Sequence, residues 1–219
     1  SNYENVVRLE LSDNFFASQQ ADIGSDGNTN SVSDDIFLVK YNSSGNKQWS
    51  EELEISDNES GISMVVDSLD NIYVTGYSKV KLDGKTNSGN YDIFMIKYNS
   101  SGIKKWKIKI GDSTSNHGMG MTVDSLDNIY VTGSANRTLD SNINLGGEDT
   151  VLLKYNSFGS KQWTKQLGLS ASDFTLEVKV DSSENINVIG LTNRIFNGNI
   201  YLLSDEIFLV KYNSDGILQ

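Results

Sequence analysis

Four stretches of this chain are near copies of one another: Asp35–Gly45, Asp92–Gly102, Asp149–Gly159 and Glu206–Gly216. Their lysines, Lys40, Lys97, Lys154 and Lys211, stand at a constant interval of 57 residues, with no insertion or deletion between copies. A strict period of this length demands one structural unit repeated, each unit burying its apolar surface against the next. A second word keeps the same interval. Val66–Gly76 and Val123–Gly133 agree letter for letter, and Val180–Gly190 keeps their pattern with drift. The first copy, Leu9–Gln19, preserves apolar positions while its letters change, as a terminal repeat does. The units run about 1–57, 58–114, 115–171 and 172–219, within a single domain spanning 1–219.

The second copy shows what the unit is. Ile62–Val66 and Asn71–Gly76 read as strands joined by the tight turn Asp67–Asp70. After a polar stretch come Asp92–Tyr98, the turn Asn99–Gly102 and a fourth strand around Lys105–Ile110. The strand segments are rich in β-branched and aromatic residues, and no segment repeats apolar residues at helical spacing. A four-stranded antiparallel unit repeated about four times predicts an all-β fold, a β-propeller whose blades cover one another's faces. Ile36, Phe37, Val39, Ile93, Phe94, Ile96, Trp49, Trp106 and Trp163 are the expected inter-blade core. The next Trp in register falls one residue beyond Gln219, so the last blade is expected to lack most of its fourth strand. Three arrangements answer that open edge: a four-bladed ring, a piece of a longer protein, or two chains forming a homodimer or larger ring that completes the missing strand.

Composition removes several function classes. With 29 acidic residues against 18 basic ones and no run of Lys or Arg, nucleic acid is not an expected partner. No apolar run reaches the length of a membrane span. Cysteine is absent, which excludes disulfides, thiolate metal sites and Cys nucleophiles. Ser1–Glu4 has neither a basic nor an apolar leader region, so a signal peptide is not expected within this chain.

The words DIFLVKYNSSGNKQW (35–49), VDSLDNIYVTGYS (66–78) and LDGKTNSGNYD (82–92) resemble the bacterial SBBP beta-propeller repeat family, in fixed order and over essentially the whole chain. That resemblance implies extracellular or envelope-associated bacterial proteins. It supplies no catalytic residues to carry over.

In a propeller of this unit the tight turns crowd one rim, and the long second-to-third loops share the other with the fourth-to-first connections. Gln20–Asp34, Tyr77–Tyr91, Ser134–Glu148 and Leu191–Asp205 form the long loops, where binding residues concentrate. Asp26, Asp83 and Asp140 recur there at one register, and Asn30, Asn87 and Asn144 four residues later. These six are the candidate ligand-binding rim. Hard oxygen donors suit Ca²⁺, so Asp83 and Asn87 are candidates for a structural calcium site, although the EF-hand pattern is missing. No other cofactor is required. The alternative is that these residues serve as turn and capping chemistry.

His117, the single histidine, aligns with Tyr3, Ser60 and Phe174, which suits a rim-exposed or packing side chain better than a base. The repeated lysine, in every copy beside a tight turn, points to a structural salt bridge or cap. Arg8, Val65, Thr122 and Lys179 hold one register of the innermost strand, and Val6, Ser63, Gly120 and Glu177 another. The function expected is a non-enzymatic, extracellular or envelope-associated binding or scaffold module for an unknown protein or glycan. The alternatives are a polysaccharide-active enzyme working through paired carboxylates and a structural protein assembling through its incomplete terminal blade.

Overall fold

The computed structural model describes residues 6–11, 14–21, 35–53, 59–78, 91–111, 115–144, 146–168, 172–192 and 206–219. Among them are four antiparallel sheets and no helix, so none that could cross a membrane. The first sheet holds β1 (Val6–Leu11), β2 (Asn14–Ala21), β3 (Asp35–Asn42) and β4 (Lys47–Glu52). The second holds β5 (Glu59–Val66), β6 (Ile72–Ser78), β7 (Asp92–Tyr98) and β8 (Lys104–Ile110). β9 (Asn116–Val123), β10 (Ile129–Ala135), β11 (Asp149–Tyr155) and β12 (Lys161–Leu167) make the third. β13 (Asp173–Val180), β14 (Ile186–Thr192) and β15 (Glu206–Tyr212) make the fourth, where Leu218 adds an isolated bridge to Tyr212. Each sheet is a meander whose strands pair in chain order. The all-β blade architecture expected from the repeat is therefore present.

Two boundaries differ from the sequence reading. β6 runs from Ile72 to Ser78 rather than from Asn71 to Gly76, so Tyr77 belongs to the strand and not to the long loop. The first strand of the second unit begins at Glu59 rather than Ile62, because a bulge between Gly61 and Ser63 takes Ile62 out of register and lets the ladder continue. β13 carries the same irregularity between Thr175 and Glu177.

The tight turns are held by one side chain each. In the first hairpin of the second sheet, Asp67 Oδ1 accepts the backbone N–H groups of Leu69 (3.0 Å) and Asn71 (2.9 Å), and Oδ2 accepts the Tyr73 hydroxyl at 2.9 Å. Asp124 repeats this with Leu126, Asn128 and Tyr130. Burial pushes the Asp67 carboxyl up, but the bonds from Asn71, Tyr73 and Leu69 outweigh it and hold the group below the usual carboxylate range. In the second hairpins Asn42, Asn99, Asn156 and Asn213 each accept two backbone N–H groups, and a glycine closes the turn at positive φ: Gly45, Gly102, Gly159 and Gly216.

Neighbouring sheets stack through their first strands. β5 packs on β1, β2 and β3, β9 on β5, β6 and β7, and β13 on β9, β10 and β11. Strand alternation then divides the third strand of a blade between two cores. Phe94 and Ile96 join Ile36, Leu38 and Leu53 between the first and second sheets, while Ile93 and Met95 join Val151 and Leu153 between the second and third. Such double-sided burial explains why β7 is buried along its whole length and reads as a nearly continuous apolar run. The three tryptophans are only half buried, each packed at the margin of a core.

That margin is where blades are clasped together. In each complete sheet the repeated lysine lies directly opposite the tryptophan: Lys40 with Trp49, Lys97 with Trp106 and Lys154 with Trp163. Cross-strand partners share a face, so both side chains point at the next blade. Lys40 Nζ and Trp49 Nε1 both donate to the Ser100 carbonyl, each at 3.2 Å. Lys154 Nζ (2.9 Å) and Trp163 Nε1 (3.2 Å) both donate to the Ser214 carbonyl, and Lys97 Nζ reaches the Ser157 carbonyl at 3.1 Å. The indole lies against the glycine two residues further on, its atoms 3.0 Å from where a Cβ on Gly102 would stand. The structural role expected for the lysine holds: Lys40, Lys97 and Lys154 reach the turn of the following blade, and Lys97 and Lys211 also pair with Asp67 and Asp181 of their own blade, at 3.4 and 2.8 Å.

Candidate functional site

The turn rim satisfies its own polar groups. Beyond the bonds within each turn, Ser68 donates through its backbone N–H and its hydroxyl to the two carboxylate oxygens of Asp127, at 2.8 and 2.7 Å, joining the first hairpins of adjacent blades. Such a surface is already committed to structure.

The opposite rim gathers side chains from two blades at the junction of the second and third sheets. Tyr77, at the end of β6, and Tyr91, just before β7, set their rings 5.2 Å apart edge to face. His117, near the start of β9, stacks 4.8 Å from Tyr77 and 5.4 Å from Tyr91. Backbone bonds fix the approach of the two blades here: the Asn116 N–H donates to the Tyr91 carbonyl at 2.7 Å. The equivalent bond one blade on runs from the Asp173 N–H to the Glu148 carbonyl at 2.6 Å. His117 Nδ1 meets Glu148 Oε1 at 3.1 Å, and the buried Ser134 hydroxyl donates to the same oxygen.

The chemistry of this cluster follows from its hub. Glu148 accepts from both partners, and the His117 bond, aided by Ser134 and set against burial, holds its carboxyl below the usual glutamate range. Ser134 donates to Glu148 rather than to His117, so the three do not form the relay in which an imidazole takes a hydroxyl proton. What remains is a half-exposed aromatic and carboxylate surface on a rigid frame, the composition of a binding patch.

Residues 48–82 and 110–139 match the family described as Beta-propeller repeat, SBBP. The chain carries SBBP beta-propeller repeats. Each matched segment spans a first hairpin with its aspartate hub, Asp67 or Asp124, and the opening of the long loop that follows. The chain also has distant relatives among known proteins. The regulatory protein FlaEY of Caulobacter vibrioides is 26% identical over 167 residues, which is 69% of this chain and 18% of that protein. An uncharacterized WD repeat-containing protein of Acanthamoeba polyphaga mimivirus is 29% identical over 141 residues, 57% of this chain and 10% of that protein. The chain thus spans less than a fifth of the length of either relative.

Of the rim residues expected from the sequence, two, Asp140 and Asn144, lie among the described residues. Asp140 Oδ2 takes Lys161 Nζ at 2.6 Å and the Thr164 hydroxyl at 2.5 Å, tying the third long loop down onto β12. Against the upward push of burial, those bonds keep its carboxyl below the usual range. Asn144 stitches its own loop, donating to the Gly147 carbonyl at 3.1 Å and accepting the Gly146 N–H at 3.2 Å. Asp26, Asn30, Asp83 and Asn87 lie outside the described residues, and so does the calcium site expected at Asp83 and Asn87. Among the described residues no three of His, Cys, Asp and Glu gather as a metal-holding group.

Tyr77, Tyr91, Ser134 and Glu148 were missed as site residues because each bounds a long loop in the sequence reading. The signal lay in that bounding position: residues at the mouths of a loop are held by the sheets.

Proposed function

We propose that the chain is a non-enzymatic binding or scaffold module, extracellular or envelope-associated, that holds a protein or glycan partner against its long-loop rim at the junction of the second and third blades. The observation that carries this reading is the contrast between rims. One is closed by its own hydrogen bonds, and the other brings Tyr77, Tyr91, His117 and Glu148 together from two clasped blades. Aromatic rings beside a carboxylate offer a stacking face and a hydrogen-bond acceptor, which suits sugar rings and polar peptide segments alike. A regulatory protein and a WD repeat-containing protein among the relatives fit a module that holds partners.

Neither Glu148 nor Asp140 is suited to act as the general acid that hydrolysis of polysaccharides requires. A general acid needs a raised pKa, while Glu148 and Asp140 are both held low by their partners. Probing glycan and peptide arrays with the parent chain tests the reading. Tyr91→Ala and His117→Ala are expected to weaken any captured ligand at least about tenfold, the scale of one lost contact in a binding patch. Phe158→Ala, on the turn rim, is expected to leave binding unchanged. Binding indifferent to both rim variants would defeat the assignment of the site.

A further inference from the structure

His117 is the single histidine of the chain, and its own unit surrounds it with residues the other units lack. The registers of His117, Ser134 and Glu148 read Tyr3, Gln20 and Asp34 in the first unit, Ser60, Tyr77 and Tyr91 in the second, and Phe174, Leu191 and Asp205 in the fourth. β1 pairs with β2, β5 with β6 and β13 with β14 without this trio, so the hairpin does not demand it. Ser134 lies directly across the ladder from His117, and Glu148 stands just ahead of β11, where one carboxylate oxygen reaches both.

Two donors converge on that oxygen. The Ser134 hydroxyl, buried at the rim, donates to Glu148 Oε1, the atom that His117 Nδ1 meets at 3.1 Å. An ionised carboxylate only accepts, and the His117 bond, with that of Ser134, holds the Glu148 carboxyl low against its burial. Nδ1 must therefore carry the proton of the neutral ring. An imidazole protonated at Nδ1 keeps its lone pair on Nε2, which can then only accept. Among the described residues nothing bonds Nε2, and the His117 side chain is 29% exposed beside the Tyr77 and Tyr91 rings.

We infer that Glu148 and Ser134 are positioning residues that fix His117 as a hydrogen-bond acceptor, and that the site thereby selects a neutral sugar whose hydroxyl donates to Nε2. This deepens, and rests on, the reading of the long-loop rim as a binding site. A sugar carries hydroxyl donors and an apolar C–H face on one ring, which matches an acceptor set beside two tyrosines. Acidic sugars are disfavoured, because a carboxylate has no proton to give Nε2 and meets Glu148 in a chain of net charge −11. A cationic peptide gains little from Glu148, whose side chain is 15% exposed and whose Oε1 already accepts two bonds.

The imidazole nitrogen NMR spectrum of the parent chain tests the positioning role without any ligand, and a single histidine makes its assignment immediate. At about pH 8, where an ordinary imidazole is neutral, the Nδ1–H form is expected. Glu148→Gln, whose carboxamide can donate as well as accept, should move the ring toward Nε2–H with unchanged circular dichroism. Calorimetry with cellohexaose, chitohexaose and hexagalacturonate then tests the ligand class. The parent is expected to bind a neutral hexasaccharide and not the galacturonate, and Glu148→Gln to weaken that binding about tenfold. A parent ring protonated at Nε2, or a tautomer that Glu148→Gln leaves unmoved, would overturn the positioning role. Binding of the galacturonate, or of neither neutral hexasaccharide, would overturn the choice of sugar. Neutral-sugar binding that survives both Tyr91→Ala and His117→Ala would instead defeat the rim as the site, whatever the tautomer.

Discussion

Replacing Lys97 with Met separates a clasp from a surface charge, because Lys211 occupies the same word of the repeat in a different setting. Lys97 is 9% exposed, donates to the Ser157 carbonyl at 3.1 Å, lies 3.4 Å from Asp67 and sits 4.8 Å above the Tyr73 ring. Methionine keeps most of the buried stem and removes the charge. A hydrogen bond from a charged donor contributes about 1.5–3 kcal/mol. The cation over the Tyr73 ring adds about 0.5–1 kcal/mol. Lys97→Met should therefore cost about 2–4 kcal/mol, equivalent to a fall in melting temperature of about 4–16 °C for a chain of this size. Lys211 pairs with an Asp181 carboxylate at the surface, where screening and side-chain entropy consume most of the gain, so Lys211→Met should leave the transition unmoved within error. Urea titration at low micromolar concentration, followed by tryptophan fluorescence, measures both, since Trp106 stands opposite Lys97. Equal losses at the two positions, or a loss at Lys97 below about 1 kcal/mol, would refute the claim that this lysine joins blades.

The glycine turns give a second paired comparison. Gly45→Ala and Gly102→Ala carry the same positive-φ penalty of about 1–2 kcal/mol, but only at Gly102 does the new methyl meet Trp49, adding about 1–3 kcal/mol of overpacking. Calorimetry should find the larger drop at Gly102, and equal drops would mean that the indole does not hold the turn. Acid should loosen the blades as well. Asp67 and Glu148 have carboxyl pKa values lower in the folded chain than in the unfolded one, so the stability they contribute is full above the unfolded value and is lost as pH falls through the folded one. A pH series of melting temperatures should fall below about pH 4, and Glu148→Gln should flatten part of that fall. An unchanged slope in the variant would count against the His117–Glu148 pair.

The blade could be read from the sequence because its causes are local. The Asp67–Asp70 and Asn99–Gly102 turns carry their own hydrogen-bond hubs, and the runs between them alternate or saturate with apolar residues according to how many faces they bury. The clasp was half legible. A lysine in every copy pointed to a structural part, but period alone cannot tell a contact within a unit from one with the next, and the Ser157 carbonyl lies 60 residues beyond Lys97. The long-loop rim was least legible. His117 meets Glu148 because Tyr91 and Asn116 bring two sheets to one place, and neither the interval nor the composition of the loops records that distance.

The clasp grips a main-chain carbonyl, which every amino acid possesses. The letter at Ser100, Ser157 or Ser214 can drift without loosening the array, provided that the glycine after it and the lysine and tryptophan before it persist. Each unit thus bears a hook on one side and an eye on the other, independent of its place in the row. Gene duplication or loss of a whole 57-residue unit would leave every surviving joint intact, so chains built this way can change length in single steps while their rims diverge freely.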